Sequence, residues 1–374
     1  MKSRDYIPGV LMKKLKVLLL FGGQSAEHEV SVISARSVCA AIDPNRYDVL
    51  PVGISRSGQW CLSESGYNAL DCKAVSPEKM TSVHLAIDSG ELIQSGNGRP
   101  VDEVFDIVFP LLHGPNGEDG TVQGLLELAG LPYVGAGVAA SAVGMDKELA
   151  RAVFMAKGLA QTDYLVVHKS RWQSHANDVI EEIEDTLEYP VFVKPVNLGS
   201  SIGISKATDR DSLEKAIQKA ACYDIKIMVE RSVELARELE CAVLGNERPQ
   251  ASTVGEIVPG AEFYDYSTKY LDDRSQLIVP ADLPDAISEK IKEMSIEAFR
   301  AVDGAGLSRV DFLMSPSGDI VINEINTMPG FTPISMYPRL WEASGTEYPR
   351  LIDKLIELGL ARHHQRSEVG SDVS

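Results

Sequence analysis

The stretch Leu307-Ser308-Arg309-Val310-Asp311-Phe312-Leu313-Met314-Ser315-Pro316-Ser317-Gly318-Asp319-Ile320-Val321-Ile322-Asn323-Glu324-Ile325-Asn326-Thr327-Met328-Pro329-Gly330-Phe331-Thr332 predicts two β-strands. They span Ser308–Met314 and Asp319–Ile325, joined by the turn Ser315-Pro316-Ser317-Gly318. Side chains alternate along a strand, so Arg309 and Asp311 share one face, and Glu324 and Asn326 share another. Closing the hairpin brings Asp311 within a rung or two of Glu324. Two carboxylates, an amide oxygen and a guanidinium then crowd one end of it. Hard oxygen donors at this density suit Mg²⁺, which keeps some water and binds substrate phosphates. The alternative is an ordinary solvated face. The apolar neighbours Val310, Phe312, Ile320 and Ile322 weigh against it, because they leave this face as the polar one.

Outward from the hairpin, the chain reads as an ordinary globular protein. Its 374 residues exceed one typical core and imply two or three domains. The hydrophobic share of 44% and charged share of 24% are those of folded, non-fibrous chains. A net charge of −18 argues against nucleic-acid and anionic-membrane partners, both of which call for a basic surface. The five cysteines, Cys39, Cys61, Cys72, Cys222 and Cys241, are odd in number and lack C-x-x-C spacing. They read as reduced, packed thiols of a cytoplasmic protein. The apolar run Val17–Phe21 is too short for a membrane span or secretory core. Met12-Lys13-Lys14 resembles a natural start, which makes residues 1–11 an extension.

The first third alternates strand and helix patterns: strand Lys16–Phe21, helix Glu29–Ile42, strands Val49–Ile54 and Ile107–Leu112, helix Thr121–Ala129, strand Pro132–Val134. This rhythm predicts a mostly parallel sheet with ligand-facing loops at the strand ends. Leu62–Pro100 reads as a polar, irregular excursion. A helix runs from Met145 towards Lys157, followed by strands Val191–Lys194, Ile202–Lys206 and Ile227–Glu230 of a small α+β unit. A third region carries strands Glu238–Leu244 and Thr253–Val258, a loop Pro259–Gln276, helix Asp285–Val302 and the hairpin. From His363 onward the polar tail is expected to fray.

Several loops have the composition of ligand sites. Lys194 ends a strand and precedes Pro195-Val196-Asn197-Leu198-Gly199-Ser200-Ser201, a cation followed by close-approach glycine and backbone donors suited to phosphate. A plain turn explains the same pattern, and no Walker A sequence is present. Lys147 is a second cation, or a surface helix lysine. Met228–Arg231 and Arg237–Glu240 offer an apolar edge with carboxylates for a nucleotide base and ribose. Gly22-Gly23-Gln24-Ser25-Ala26-Glu27 joins a strand to a helix, where an anion could sit on the helix N-terminus or Glu27 could hold an ammonium group. His113 in Leu112-His113-Gly114-Pro115-Asn116-Gly117-Glu118-Asp119-Gly120 is either a ligand residue or a satisfied structural histidine. Gly260–Tyr270, in a long loop, reads as a lid, with Lys269 reaching a terminal phosphate and Tyr270 capping the cavity, or as packed aromatic filler.

Taken together, the chain resembles the D-alanine–D-alanine ligase family of the ATP-grasp superfamily. The motifs are G-G-x-S-A-E-x-E-V-S, H-G-x-x-G-E-D-G, V-K-P…G-S-S-x-G, Y-D-Y-x-x-K-Y and N-E-I-N-T-x-P-G-F-T, in family order from Lys16 to about Leu360. The resemblance implies an α/β fold with α+β elements and three domains. A parallel-sheet domain over 1–136 precedes two α+β units, 137–230 and 231–374, that clasp ATP, with a lid at 259–276. It implies a cytoplasmic enzyme of cell-wall precursor synthesis, a homodimer, that joins two D-alanines and splits ATP to ADP and phosphate. By matching position, Lys147, Lys194, Ser201 and Lys269 contact ATP phosphates, Glu230 and Arg231 the adenine side, and Glu238 the ribose. Asp311, Glu324 and Asn326 hold two Mg²⁺ ions, with Mn²⁺ as a substitute. Glu27 holds the first D-alanine's ammonium beside His113, in a set completed by Ser200 and Tyr270. Ser335 receives the second D-alanine's carboxylate, while Arg309 and the Gly330 N–H stabilise the oxyanion. Met336 stands where some members have leucine and is expected to reshape the second subsite. Members that prefer D-lactate resemble this chain but carry histidine at the position of Tyr270. Ligation to D-lactate or D-serine, and a silent nucleotide-binding protein, are the competing functions.

Overall fold

The computed structural model describes residues 13–62, 70, 73–101, 104–258 and 276–370. Residues 259–275 of the expected lid, with Lys269 and Tyr270, lie outside them, as do residues 1–12.

In chain order the first unit comprises β1 (Leu15–Gly22), α1 (His28–Ala41), β2 (Tyr47–Ile54), β3 (Trp60–Leu62), β4 (Thr81–Leu85), β5 (Leu92–Gln94), β6 (Ile107–Leu111) and α2 (Thr121–Leu128). The sheet order is β5-β4-β3-β2-β1-β6. Strand β1 pairs in parallel with both β2 and β6. It is central and covered on both faces, which explains its unbroken apolar run. Val17, Leu19 and Phe21 enter one core, and Leu18 and Leu20 the other. The region 62–100 is not the irregular excursion its polarity suggests. There β4 and β5 extend the sheet in antiparallel fashion, with Val83, Leu85 and Leu92 buried. Strands this short bury only alternate residues, so their average composition stays polar. The strand expected at Pro132–Val134 is reduced to one bridge between Val108 and Tyr133.

Helices α3 (Val138–Met145) and α4 (Lys147–Ala156) replace the single helix expected from Met145. Asp146 separates them and caps α4 by accepting from the Leu149 N–H at 3.1 Å. Then come β7 (Tyr164–His168), α5 (Lys169–Ser174), α6 (Ala176–Thr186), β8 (Val191–Pro195), β9 (Ser205–Ala207), α7 (Arg210–Ala220) and β10 (Lys226–Arg231). These strands form an antiparallel sheet ordered β7-β10-β8-β9. The strand expected from Ile202 begins only at Ser205. Ser200 and Ser201 adopt φ of 52° and 56°, left-handed conformations that hold a loop open and prevent pairing.

The last unit contains β11 (Arg237–Gly245), β12 (Gln250–Val258), β13 (Gln276–Ile278), α8 (Asp285–Ala301), β14 (Gly306–Met314), β15 (Ile320–Asn326), α9 (Met336–Ala343) and α10 (Tyr348–Gly370). Its sheet runs β13-β12-β11-β14-β15, antiparallel throughout. Leu239, Cys241, Val310 and Phe312 on one face pack with Ile291 and Phe299 of α8 and with Ala150 and Phe154 of α4. On the opposite face Ala242 and Leu244 share a core with α9, α10, α1 and β1. That common core fixes the start of α1 relative to the β14–β15 hairpin. The tail expected to fray from His363 is helical to Gly370. The guanidinium of Arg362 lies 4.2 Å from the Tyr133 ring centroid and Arg366 pairs with Glu127, tying polar turns to the first unit. The expected mixed α/β architecture is therefore present, built on three sheets, but the leading sheet is mixed and not mostly parallel: it is parallel around β1 and antiparallel from β2 to β5.

Candidate active site

The hairpin supplies the centre of the site. Arg309 lies opposite Asn326 and Asp311 opposite Glu324, so the four residues described above as two separate faces share one side. Between Asp311 and Phe312 the register slips: Phe312 pairs with Ile322, which leaves Asn323 as an extra residue. This bulge breaks the burial alternation of β15, and Asn323 and Glu324 both line the same cavity. Period-two reading alone puts Asn323 and Glu324 on opposite faces.

Arg309 donates from Nε and Nη2 to the two Asp311 oxygens at 2.7 and 2.6 Å. Its Nε also lies 2.9 Å from Glu240 Oε2 on β11. Burial disfavours the Arg309 charge, but Asp311 and Glu240 outweigh it and hold the guanidinium firmly protonated. Asn326 Nδ2 donates to Asp311 Oδ2 at 3.0 Å. Among the described residues no group of three His, Cys, Asp or Glu side chains could hold a metal. The donor set here is two carboxylates and an amide, whose rotation would present its oxygen beside them. Such an all-oxygen set fits Mg²⁺.

Both lysines face the hairpin. Lys147, at the start of α4, is 9% exposed, which removes the surface-lysine reading. Its Nζ donates to the Leu198 carbonyl at 2.7 Å and lies 3.5 Å from Glu324 Oε2. Lys194 ion-pairs with Glu230 and donates to Asn323 Oδ1 at 3.1 Å. A cavity lined by Lys147, Lys194, Ser200, Ser201, Glu230, Glu238, Asp311 and Glu324 therefore combines cations, loop backbone and carboxylates. Phe192, Leu239 and Leu313 give it apolar walls. Arg231, at the end of β10, is exposed.

A second cavity shares Lys147, Leu198, Gly199 and Glu324 with the first, and adds Glu118, Asn326 and Thr327. Glu27 stands nearby on the first unit, where Ser200 donates its hydroxyl to Glu27 Oε1. A side chain at Gly114, whose φ is +73°, would begin 3.0 Å from Glu27 Oε2, so that turn needs glycine. His113 is buried, with Nδ1 3.0 Å from the Met328 carbonyl and Nε2 3.4 Å from Ser34 Oγ. A carbonyl only accepts, so Nδ1 carries the proton and Nε2 accepts from Ser34. Burial lowers the His113 pKa despite the opposing Glu27 charge, leaving a neutral ring. Glu118, on the same loop, accepts from the Gly114 N–H at 3.0 Å. Burial and the Glu27 charge push its carboxyl up to about 8.

The loop after the hairpin is pinned by Phe331, fully buried with its ring centroid 6.0 Å from Phe109 and 5.4 Å from Tyr348. Losing such a ring costs about 3–5 kcal/mol, so the position of Gly330 is tightly held. Ser335 caps this loop, bonding Thr332 Oγ1 at 2.7 Å and the Thr332 N–H at 3.2 Å. Met336, which follows Ser335, is buried in the core with Tyr337 and Leu340 and approaches Gly255 of β12.

Three contributors received no role from the sequence, Arg151, Glu118 and Asn323, and Glu240, read there as a nucleotide-side carboxylate, instead pairs with Arg309. Arg151 follows Lys147 by four residues on one helix face, a usable signal. Glu240 alternates with Glu238 on β11. Glu118 sits within the His113 loop, and Asn323 is exposed to the site by the bulge alone.

The chain matches the family models described as D-ala D-ala ligase N-terminus over residues 16–136 and D-ala D-ala ligase C-terminus over residues 153–357. A protein of Ruminiclostridium cellulolyticum named D-alanine–D-alanine ligase is 50% identical over 368 residues, covering 94% of this chain and 97% of its own. The solved structure of the D-alanine–D-alanine ligase from Coxiella burnetii is similar with a TM-score of 0.83 at 37% identity, covering 96% of this chain and 97% of that one. The VanG D-Ala:D-Ser ligase of Enterococcus faecalis is similar with a TM-score of 0.83 at 35% identity, covering 93% and 100%.

Proposed function

The chain belongs to the D-alanine–D-alanine ligase family, and from that premise we propose how its residues divide the work. It is an ATP-dependent ligase of peptidoglycan precursor synthesis, joining two D-alanines into D-alanyl-D-alanine on an ATP-grasp fold. The observation that best supports the following assignment is Ser200. Its hydroxyl donates to Glu27 while its loop lines the cavity of Lys147, Lys194 and Glu324. One loop therefore touches both an ammonium-binding carboxylate and a phosphate-binding wall.

Lys147 and Lys194 take the ATP phosphates beneath the Ser200–Ser201 loop, Glu230 and Arg231 border the adenine, and Glu238 meets the ribose. Glu27, with Ser200, holds the first D-alanine's ammonium, and neutral His113 fixes the neighbouring loop without adding charge. The first D-alanine's carboxylate attacks the γ-phosphorus, the bond to the β–γ bridging oxygen breaks and ADP leaves. This gives an acyl phosphate whose phosphate is a far better leaving group than the oxygen of a free carboxylate. Asp311, Glu324 and Asn326 would hold two Mg²⁺ ions, whose charge neutralises the phosphates during transfer. Ser335 receives the second D-alanine's carboxylate. Its amine attacks the acyl carbon and phosphate leaves. Arg309 and the Gly330 N–H face the developing oxyanion, where each preorganised donor contributes on the order of 3 kcal/mol.

Among the described residues no helix is long and apolar enough to cross a membrane. A cytoplasmic homodimer completes the proposal, as the family implies. The test is phosphate release from ATP with and without D-alanine. Release that requires D-alanine and accompanies dipeptide supports the assignment, and D-alanine-independent release overturns it.

A further inference from the structure

Glu230 is 3% exposed and carries two cations. Lys194 approaches from β8 and Arg151 from α4. The two cations are held differently. Arg151 is 2% exposed, donates to Thr162 Oγ1 at 2.9 Å and to the Thr162 carbonyl at 3.3 Å, and lies 5.2 Å from the Tyr164 ring centroid. Tyr164 is itself the cross-strand neighbour of Glu230. Lys194 instead lines the cavity and has Asn323 as its further partner. One cation is fixed by packing, and the other stands at the wall where phosphate is expected.

We infer that Arg151 is a positioning residue for ATP: it is the permanent counter-ion of Glu230, and so releases Lys194 to the nucleotide phosphates. The inference rests on the proposed phosphate role of Lys194. A buried carboxylate stripped of all partners is strongly disfavoured. With Arg151 in place, Glu230 keeps a partner when Lys194 swings to phosphate. Without it, Lys194 is the remaining counter-ion and stays on Glu230. Arg151 further couples two units, since neighbouring Ala150 and Phe154 pack beneath the last sheet while Glu230 belongs to the central one.

The test compares the affinities of the full chain for ATP and for adenosine, the latter by displacement of a fluorescent nucleotide. Adenosine reports the base and ribose contacts without phosphate. Arg151→Met is expected to weaken ATP about tenfold and leave adenosine nearly unchanged. Arg151→Met combined with Glu230→Gln removes the carboxylate that retains Lys194, so the ATP-to-adenosine affinity ratio should recover. Arg151→Lys should retain most of the ratio. Equal loss of both ligands in Arg151→Met, or a lower ratio in the double variant than in the single one, overturns the inference. Should Arg151→Met fail to fold, the double variant and Arg151→Lys decide, since both are expected to keep a near-normal ratio. Lys194→Met separates the underlying reading: a ratio unchanged there means Lys194 does not bind phosphate. A ratio lowered there but not in Arg151→Met refutes only the role of Arg151.

Discussion

Asp311 and Glu324 face each other as a direct cross-strand pair, one position from the slip in the β14–β15 ladder. Carboxylates so placed repel unless cations lie between or beside them, and here Arg309 and Lys147 supply that charge. Glu324→Gln is expected to abolish turnover while the melting temperature stays within a few degrees, because the strands pair through their backbones. Near-normal turnover in a folded Glu324→Gln protein would remove Glu324 from the metal site.

Arg309 stands between Asp311 and Glu240. Arg309→Ala should lower turnover by about a hundredfold or more, with a much smaller effect on ATP affinity. It should also cost on the order of 3 kcal/mol of stability, since two carboxylates lose their shared partner. Equal losses in turnover and nucleotide affinity would make Arg309 a phosphate ligand.

His113 gives the protein a pH response of known sign. Its folded pKa lies below the ordinary 6.5 because of burial. The unfolded chain therefore binds more protons as pH falls through 6.5, and stability present above that value is lost below it. His113→Asn retains a donor for the Met328 carbonyl but does not titrate. The stability advantage of the unmodified protein over this variant should shrink between pH 7.5 and 5.5. Thermal melts with parallel pH profiles for the two proteins would show that folding does not lower the His113 pKa.

Tyr270 is expected to decide the second substrate. D-Alanine enters as an ammonium zwitterion and D-lactate as a net anion with a neutral hydroxyl. A neutral phenol gives the anion no advantage. With equal D-alanine and D-lactate, dipeptide should dominate at pH 7 to 8. Tyr270→His should admit D-lactate increasingly below about pH 6.5. Dominant depsipeptide from the unmodified chain at neutral pH would show that Tyr270 does not set the choice.

The sequence alone carried the fold class and picked out much of the candidate site, for a local reason. The apolar run of β1, the hairpin around Asp311 and Glu324, and the loops after β1, β6 and β8 are each encoded by neighbours within a dozen residues. Turn chemistry and side-chain alternation act over that range. Their motifs keep family order, so the sequence picks out Glu27, Lys147, Lys194 and Arg309 without reference to any contact.

Only the tertiary structure decided what those residues touch. Arg151 meets Glu230 across 79 positions and Ser200 meets Glu27 across 173, separations over which no periodicity carries information. Strands β4 and β5 escaped notice because pairing stabilises them, not composition, and the last turns of α10 persist because Arg362 and Arg366 find partners on the first unit. The bulge that exposes Asn323 depends on how two strands slip past each other. Such features arise from the balance of burial and charge among distant segments, and that balance exists only in the folded chain.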